Sequence, residues 1–207
     1  MSARREHVFA HWPNRITALR FLGALALFVL LAAFETGALS PEPGLAAQAA
    51  LFLFIGVAAT DWLDGYLARR FGHVTHFGRI ADPFVDKILV LGVLVFLAAL
   101  PSGRSFVPAW VVVLVLAREL LVTGLRGFVE AQGLAFPADR WGKLKLVVQC
   151  VAIGIVLGLP AFAWGPTPRL WLSNLAHVSV WATLLASLGS GIGYVIKTAR
   201  LLSGEGR

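Results

Sequence analysis

DWLDGYLARRFGHVTHFGRIADPFVD, residues 61–86, holds four of the chain's eleven acids, Asp61, Asp64, Asp82 and Asp86, and long apolar runs border it on both sides. Carboxylates at the mouths of membrane helices are costly to keep ionised, so they call for a cation or a function. On a helix, Asp61, Asp64, Gly65 and Ala68 fall at i, i+3, i+4 and i+7, which is one face. Gly78, Asp82 and Asp86 recur at i, i+4 and i+8, again one face. Two helical faces joined by a polar turn, each with two aspartates and a glycine, make the plan of a metal site on a helical hairpin.

The flanks decide the fold class. Of 207 residues, 58% are hydrophobic and 14% charged, against roughly 25% charged in a soluble domain. The mean hydropathy is +0.78. Several runs reach the ~20 residues that cross a bilayer. The expectation is an all-α polytopic membrane protein, one domain over 1–207. Its six transmembrane helices fall near 16–35, 44–69, 78–100, 109–129, 142–159 and 175–196, with a short interfacial helix in residues 4–15. A Pro-rich loop (Pro160, Pro166, Pro168) is expected before the last span. No A-x-A site follows the first apolar run, so that run reads as a retained helix and not a cleaved signal. The single cysteine, Cys150, lies in an apolar run and excludes a disulfide framework.

The net charge of +7 does not point to nucleic acid, because its distribution follows the membrane. Of eighteen Lys and Arg residues, only Arg104 and Arg169 fall in loops of one side. The others lie in the termini, the 70–78 turn, the 130–142 loop or helix ends facing them. This asymmetry makes both termini cytoplasmic and puts all four aspartates near the cytoplasmic surface. Carboxylates without nearby Cys or His ligands favour a hard cation, Mg²⁺ or Mn²⁺. Arg69, Arg70, His73, Thr75, His76 and Arg79 in the turn suit a polyanion, and glycines at 65 and 78 let a ligand approach the backbone. The reading is metal-assisted chemistry on a diphosphate at the membrane surface. A transporter using intramembrane carboxylates would spread its acids across the midplane, which these do not.

Asp61-x2-Asp64-Gly65-x2-Ala68-Arg69-x8-Gly78-x3-Asp82-x3-Asp86 resembles, without a gap, the signature of the CDP-alcohol phosphotransferase family. The likeness extends over about residues 12–147. Pro13-Asn14-x2-Thr17-x2-Arg20, Ala117-Arg118-Glu119, Thr123-Gly124-Leu125-Arg126 and Trp141-Gly142-Lys143-x-Lys145 are similar to segments of its bacterial members that use glycerol 3-phosphate. One departure is Leu146, where those enzymes often carry a small hydroxyl residue.

The resemblance implies that CDP-diacylglycerol binds with its diphosphate on a metal centre held by Asp61, Asp64, Asp82 and Asp86. Cytidine would lie near Gly65 and Ala68, close to Gly78, with Arg69 and Thr75 on phosphate oxygens and Pro13, Asn14 and Thr17 on the nucleotide side. Asp86 would be the general base that deprotonates the acceptor hydroxyl, and CMP would leave. The implied acceptor is sn-glycerol 3-phosphate, giving phosphatidylglycerol phosphate. Its phosphate needs cations away from the metal, and Arg118, Arg126, Lys143 and Lys145 are the candidates. Arg118 and Arg126 stand eight residues apart, about 80° around a helix, and are expected to share a pocket. Other family members, making phosphatidylinositol phosphate, cardiolipin or phosphatidylserine, are the alternative. The resemblance also implies a homodimer in the bacterial inner membrane.

Overall fold

A chain segment in hydrocarbon has no water to satisfy its N–H and C=O groups, so apolar runs of this length fold as helices. The computed structural model describes the backbone of residues 12–40, 44–71, 76–133 and 140–203, and the side chains of 15–40, 44–60, 84–133, 144–201 and 203. Among the described residues there are six helices and no strand: α1 (Trp12–Glu35), α2 (Leu45–Phe71), α3 (His76–Ala99), α4 (Ala109–Ala131), α5 (Arg140–Ala161) and α6 (Pro166–Leu202). Three of them, over Arg15–Glu35, Leu144–Ala161 and Pro166–Leu201, are long and apolar enough to cross a bilayer. This is a helical membrane protein. In α2 the apolar stretch is Leu45–Thr60, ahead of the first aspartates.

The helices gather into two compact units. The first holds α1, α2, α3 as far as Phe96, and Leu157–Trp164 at the end of α5; the second holds residues 97–156 and 165 onward. In the first unit, α1 buries Thr17, Arg20, Ala24, Leu27, Leu31 and Phe34. These steps of three and four residues form a continuous seam. That seam is polar at its first two positions and apolar after them. The opposite face leaves Leu22 and Val29 exposed, as lipid contact permits. Two glycines let helices close on α1. A Cβ on Gly23 would stand 2.7 Å from Val57 Cγ2 of α2, and one on Gly92 of α3 would stand 2.3 Å from Phe28 Cζ. Phe28 in turn packs on Phe96, ring centres 5.8 Å apart.

The tight Gly92 contact gives a paired prediction. Gly92→Ala should destabilise the protein by about 1–3 kcal/mol, because the Phe28 ring must leave its place. Gly56→Ala, where nothing lies within 4 Å of the new methyl, should be neutral or slightly stabilising, as alanine favours helix by about 1 kcal/mol. Thermal unfolding in detergent compares the two. Equal melting temperatures would contradict the packing.

In the second unit α4 packs on α6, and Trp110 and Trp181 meet with ring centres 5.8 Å apart. The buried face of α6 is unusually polar: Ser179, Thr183, Ser187, Ser190 and Thr198 alternate with Ala176, Val180, Leu184 and Tyr194. Both α1 and α4 end before a glycine with φ of 74°, at Gly37 and Gly133, the left-handed cap that glycine adopts without strain.

Several expectations change. Residues 12–15 belong to α1 itself and not to a separate interfacial helix, and residues 1–11 lie outside the described ones. The last helix begins at Pro166, not near 175, because the first helical turn has no use for its N–H groups and accepts Pro166 and Pro168 there. Pro160 sits inside the last turn of α5, so the proline-rich loop is nearly absent. At 37 residues, α6 is about 55 Å long, well beyond the ~30 Å hydrocarbon core. Cys150 is half-buried and carries no disulfide.

Candidate active site

The helical backbone runs through both halves of the aspartate motif. Positions 61–71 continue α2 and positions 76–86 open α3, so the i, i+3 and i, i+4 spacings are helical spacings. The side chains of Asp61, Asp64, Gly65, Ala68, Arg69, Gly78 and Asp82, together with Pro13 and Asn14, lie outside the described ones, as does Thr75 altogether. Asp86 is described. Its Oδ1 accepts a hydrogen bond from Nη2 of Arg20, which α1 supplies from 66 positions away. Arg20 is 2% exposed and Asp86 22%. Thr17, one turn before Arg20, is buried on the same seam. The polar start of the α1 seam therefore carries the partner of the proposed base. Arg20 stood in the sequence only as part of a resemblance, with no assigned role.

A second cluster lies in the second unit. Arg118 and Glu119 of α4 are buried, as is Lys145 of α5. Nη1 of Arg118 donates to Glu119 Oε1 at 2.6 Å, and the Lys145 ammonium meets the same oxygen. Nη2 of Arg118 donates to Ser190 Oγ of α6. The guanidinium carbon lies 5.9 Å from the centre of the Tyr194 ring, within cation–π range. Gly191 makes room, since a Cβ there would stand 2.9 Å from Arg118 Cγ. Glu119 is the one carboxylate among the buried residues described in this unit. Among the described residues the cluster brings together two cations and one anion. Buried charge is expensive, and a well-packed apolar cluster is often as stable or more so.

Arg126 is placed differently. It is 46% exposed and its Nε lies 3.8 Å from Glu130 Oε1 on the next turn, an exposed pair worth about 0.3–0.5 kcal/mol. Eight residues separate it from Arg118 by about 12 Å along the helix. Arg118 is buried and Arg126 lies at the surface. Lys143 lies outside the described side chains.

Below the charged cluster, Gln149 follows Lys145 by one turn, and Ser187 and Thr183 precede Ser190 by one and two. Gln149 Nε2, Ser187 Oγ and Thr183 Oγ1 are buried with no hydrogen-bond partner among the described residues. A buried unsatisfied hydroxyl costs about 1–3 kcal/mol. Thr183→Val, which keeps the shape, should leave stability unchanged or raise it by about 1 kcal/mol. A clear fall in melting temperature would show that the hydroxyl has a partner in the working protein.

Among the described residues no three His, Cys, Asp or Glu side chains form a metal cluster; three of the four motif aspartates are not among them. The chemistry of the donor set fits a hard divalent cation: carboxylate oxygens only, at helical spacing.

A family model described as CDP-alcohol phosphatidyltransferase matches residues 10–188, across both units. The chain belongs to the CDP-alcohol phosphatidyltransferase family. It is 35% identical over 193 residues to the CDP-diacylglycerol–glycerol-3-phosphate 3-phosphatidyltransferase of Bacillus subtilis strain 168, covering 89% of this chain and 93% of the relative. A probable phosphatidylglycerophosphate synthase of Mycobacterium tuberculosis is 37% identical over 195 residues, 94% of this chain and 85% of that protein. A Rickettsia felis protein with the same name as the Bacillus one is 29% identical over 183 residues, 88% and 92% of the two chains. Glu119 pairs with an arginine, as its place beside Arg118 suggests. Ser190 and Tyr194 are the residues that sequence reasoning missed.

Proposed function

We propose that this protein transfers the phosphatidyl group from CDP-diacylglycerol to sn-glycerol 3-phosphate, forming phosphatidylglycerol phosphate and CMP. The observation that carries the proposal is the ungapped signature from Asp61 to Asp86 on the helical backbone of α2 and α3. The relatives' names support the choice of donor and acceptor. Residues 1–207 act as one domain in this reading, since the family match crosses both units.

Asp61, Asp64, Asp82 and Asp86 would hold a divalent cation, Mg²⁺ or Mn²⁺. Such an ion neutralises charge on the transferred phosphoryl group and on the departing CMP. Gly65, Ala68 and Gly78 leave room for the nucleotide, bordered by Pro13, Asn14 and Thr17, while Arg69 and Thr75 bind diphosphate oxygens. Asp86 takes the proton of the acceptor hydroxyl as its oxygen attacks the β-phosphorus. The bond from that phosphorus to the bridging oxygen breaks, and CMP carries the electron pair away. Arg20 holds the Asp86 carboxylate from the α1 side. The buried Arg118 and Lys145 would take the acceptor's phosphate, which arginine can grip through two N–H groups. Lys143 and the surface cation Arg126 draw the dianion in.

The positive-inside distribution of Lys and Arg puts the site and both termini in the cytoplasm of a bacterial cell, with the chain in the inner membrane as six spans. A homodimer belongs to the same proposal. Gly189 and Gly193 on α6 are exposed, with nothing within 4 Å of a Cβ on either among the described residues, so a second copy can approach closely there.

The test is CMP release by purified protein with CDP-diacylglycerol and glycerol 3-phosphate, before and after chelation. Release that stops with chelator and returns with Mg²⁺ or Mn²⁺ is expected. Undiminished release in chelator would remove the metal from the account.

A further inference from the structure

Glu119 has no part in the reaction as described above, yet it is the residue on which the buried cations converge. A single oxygen, Oε1, takes both Nη1 of Arg118 and Nζ of Lys145. The two cations come from different helices, α4 and α5, and their like charges would otherwise drive them apart. Arg118 is also gripped by Ser190 and lies against Tyr194. Lys145 has a flexible four-carbon stem that carries a compact charge. The carboxylate thus bridges the ammonium to an already anchored guanidinium.

We infer that Glu119 is a positioning residue for acceptor recognition, holding Lys145 and Arg118 together as one phosphate-binding pair. This rests on the acceptor reading given above. Glu119 does not touch substrate. It acts through the two cations that share its Oε1.

A triad that only stabilised the bundle would, when broken, lower the melting temperature and leave both Michaelis constants alike. A positioning residue splits them. Glu119→Gln keeps the size of the side chain, but it weakens two charge-assisted bonds and turns an amide donor toward the cations. Its KM for glycerol 3-phosphate should rise about tenfold or more, the loss expected for a charged hydrogen bond. The KM for CDP-diacylglycerol should stay within about twofold, and kcat at saturating acceptor should change little. Glu119→Asp keeps the charge but is one methylene shorter. It should show an acceptor KM between those of the parent and E119Q, and it carries the test if E119Q does not fold. An acceptor KM that is unchanged or lower in the variant tested overturns the inference. Lys145→Ala in the same assay separates the two levels. If K145A raises the acceptor KM and E119Q does not, the acceptor site stands and the role of Glu119 falls. If K145A leaves the acceptor KM unchanged, the acceptor reading itself falls and the inference with it.

Discussion

Asp86→Asn should lose about a thousandfold or more of the rate of CMP release, in line with removal of a general base. The substitution keeps the size of the side chain and an oxygen that can still accept from Arg20, so the variant should remain folded and monodisperse. What it loses is the proton acceptor and the charge. The four motif aspartates share one proposed centre, so Asp82→Asn should be similarly inactive. Combining D82N with D86N should cost little beyond either alone, because residues acting as a unit are not additive. CMP release, read with circular dichroism and gel filtration of the same samples, checks this. Activity within tenfold of the parent in folded D86N would refute its assignment as the base.

Arg118→Lys is the second large effect, although it leaves the charge unchanged. The guanidinium is engaged on three sides: Glu119 at one Nη, Ser190 at the other, and the Tyr194 ring across its plane. An ammonium is a point charge with no fork and no flat face. It can keep one of these partners, not all three. The KM for glycerol 3-phosphate should rise about 10- to 100-fold, the loss of one or two charged hydrogen bonds. The KM for CDP-diacylglycerol should move far less. Stability should fall as well, since Ser190 is left buried without its donor. A variant with the parent's acceptor KM would place acceptor recognition outside this cluster.

The sequence announces the features that are local. Apolar runs mark all six helices, and most of their ends fall within a few residues of those expected, because bilayer length and helix rise set the scale. The ends that moved are where proline was read as a helix stop. Pro166 and Pro168 instead open α6, and Pro160 is absorbed into the last turn of α5. The aspartate signature is likewise local, because its spacing is the helix repeat itself. Contacts between distant positions carried no such mark. Arg20 reaches Asp86 across 66 positions, and Arg118 reaches Ser190 across 72. Nothing in the run SLGSGIGY around Ser190 distinguishes it from packing sequence. The division into two units also left no trace, as α5 passes from one to the other within a single apolar run. Periodicity placed Arg118 and Arg126 near one another around the axis, and the distance along that axis separated them.

Incorporation of labelled sn-glycerol 3-phosphate into lipid tests the central claim most directly. Purified protein, CDP-diacylglycerol and Mg²⁺ should move the label into a chloroform-soluble product, with one CMP released per labelled lipid. Inositol phosphate, serine or phosphatidylglycerol offered in its place should release no CMP above background. CMP release with one of those acceptors, and none with glycerol 3-phosphate, would leave the family and the aspartate chemistry standing but contradict the acceptor assigned here.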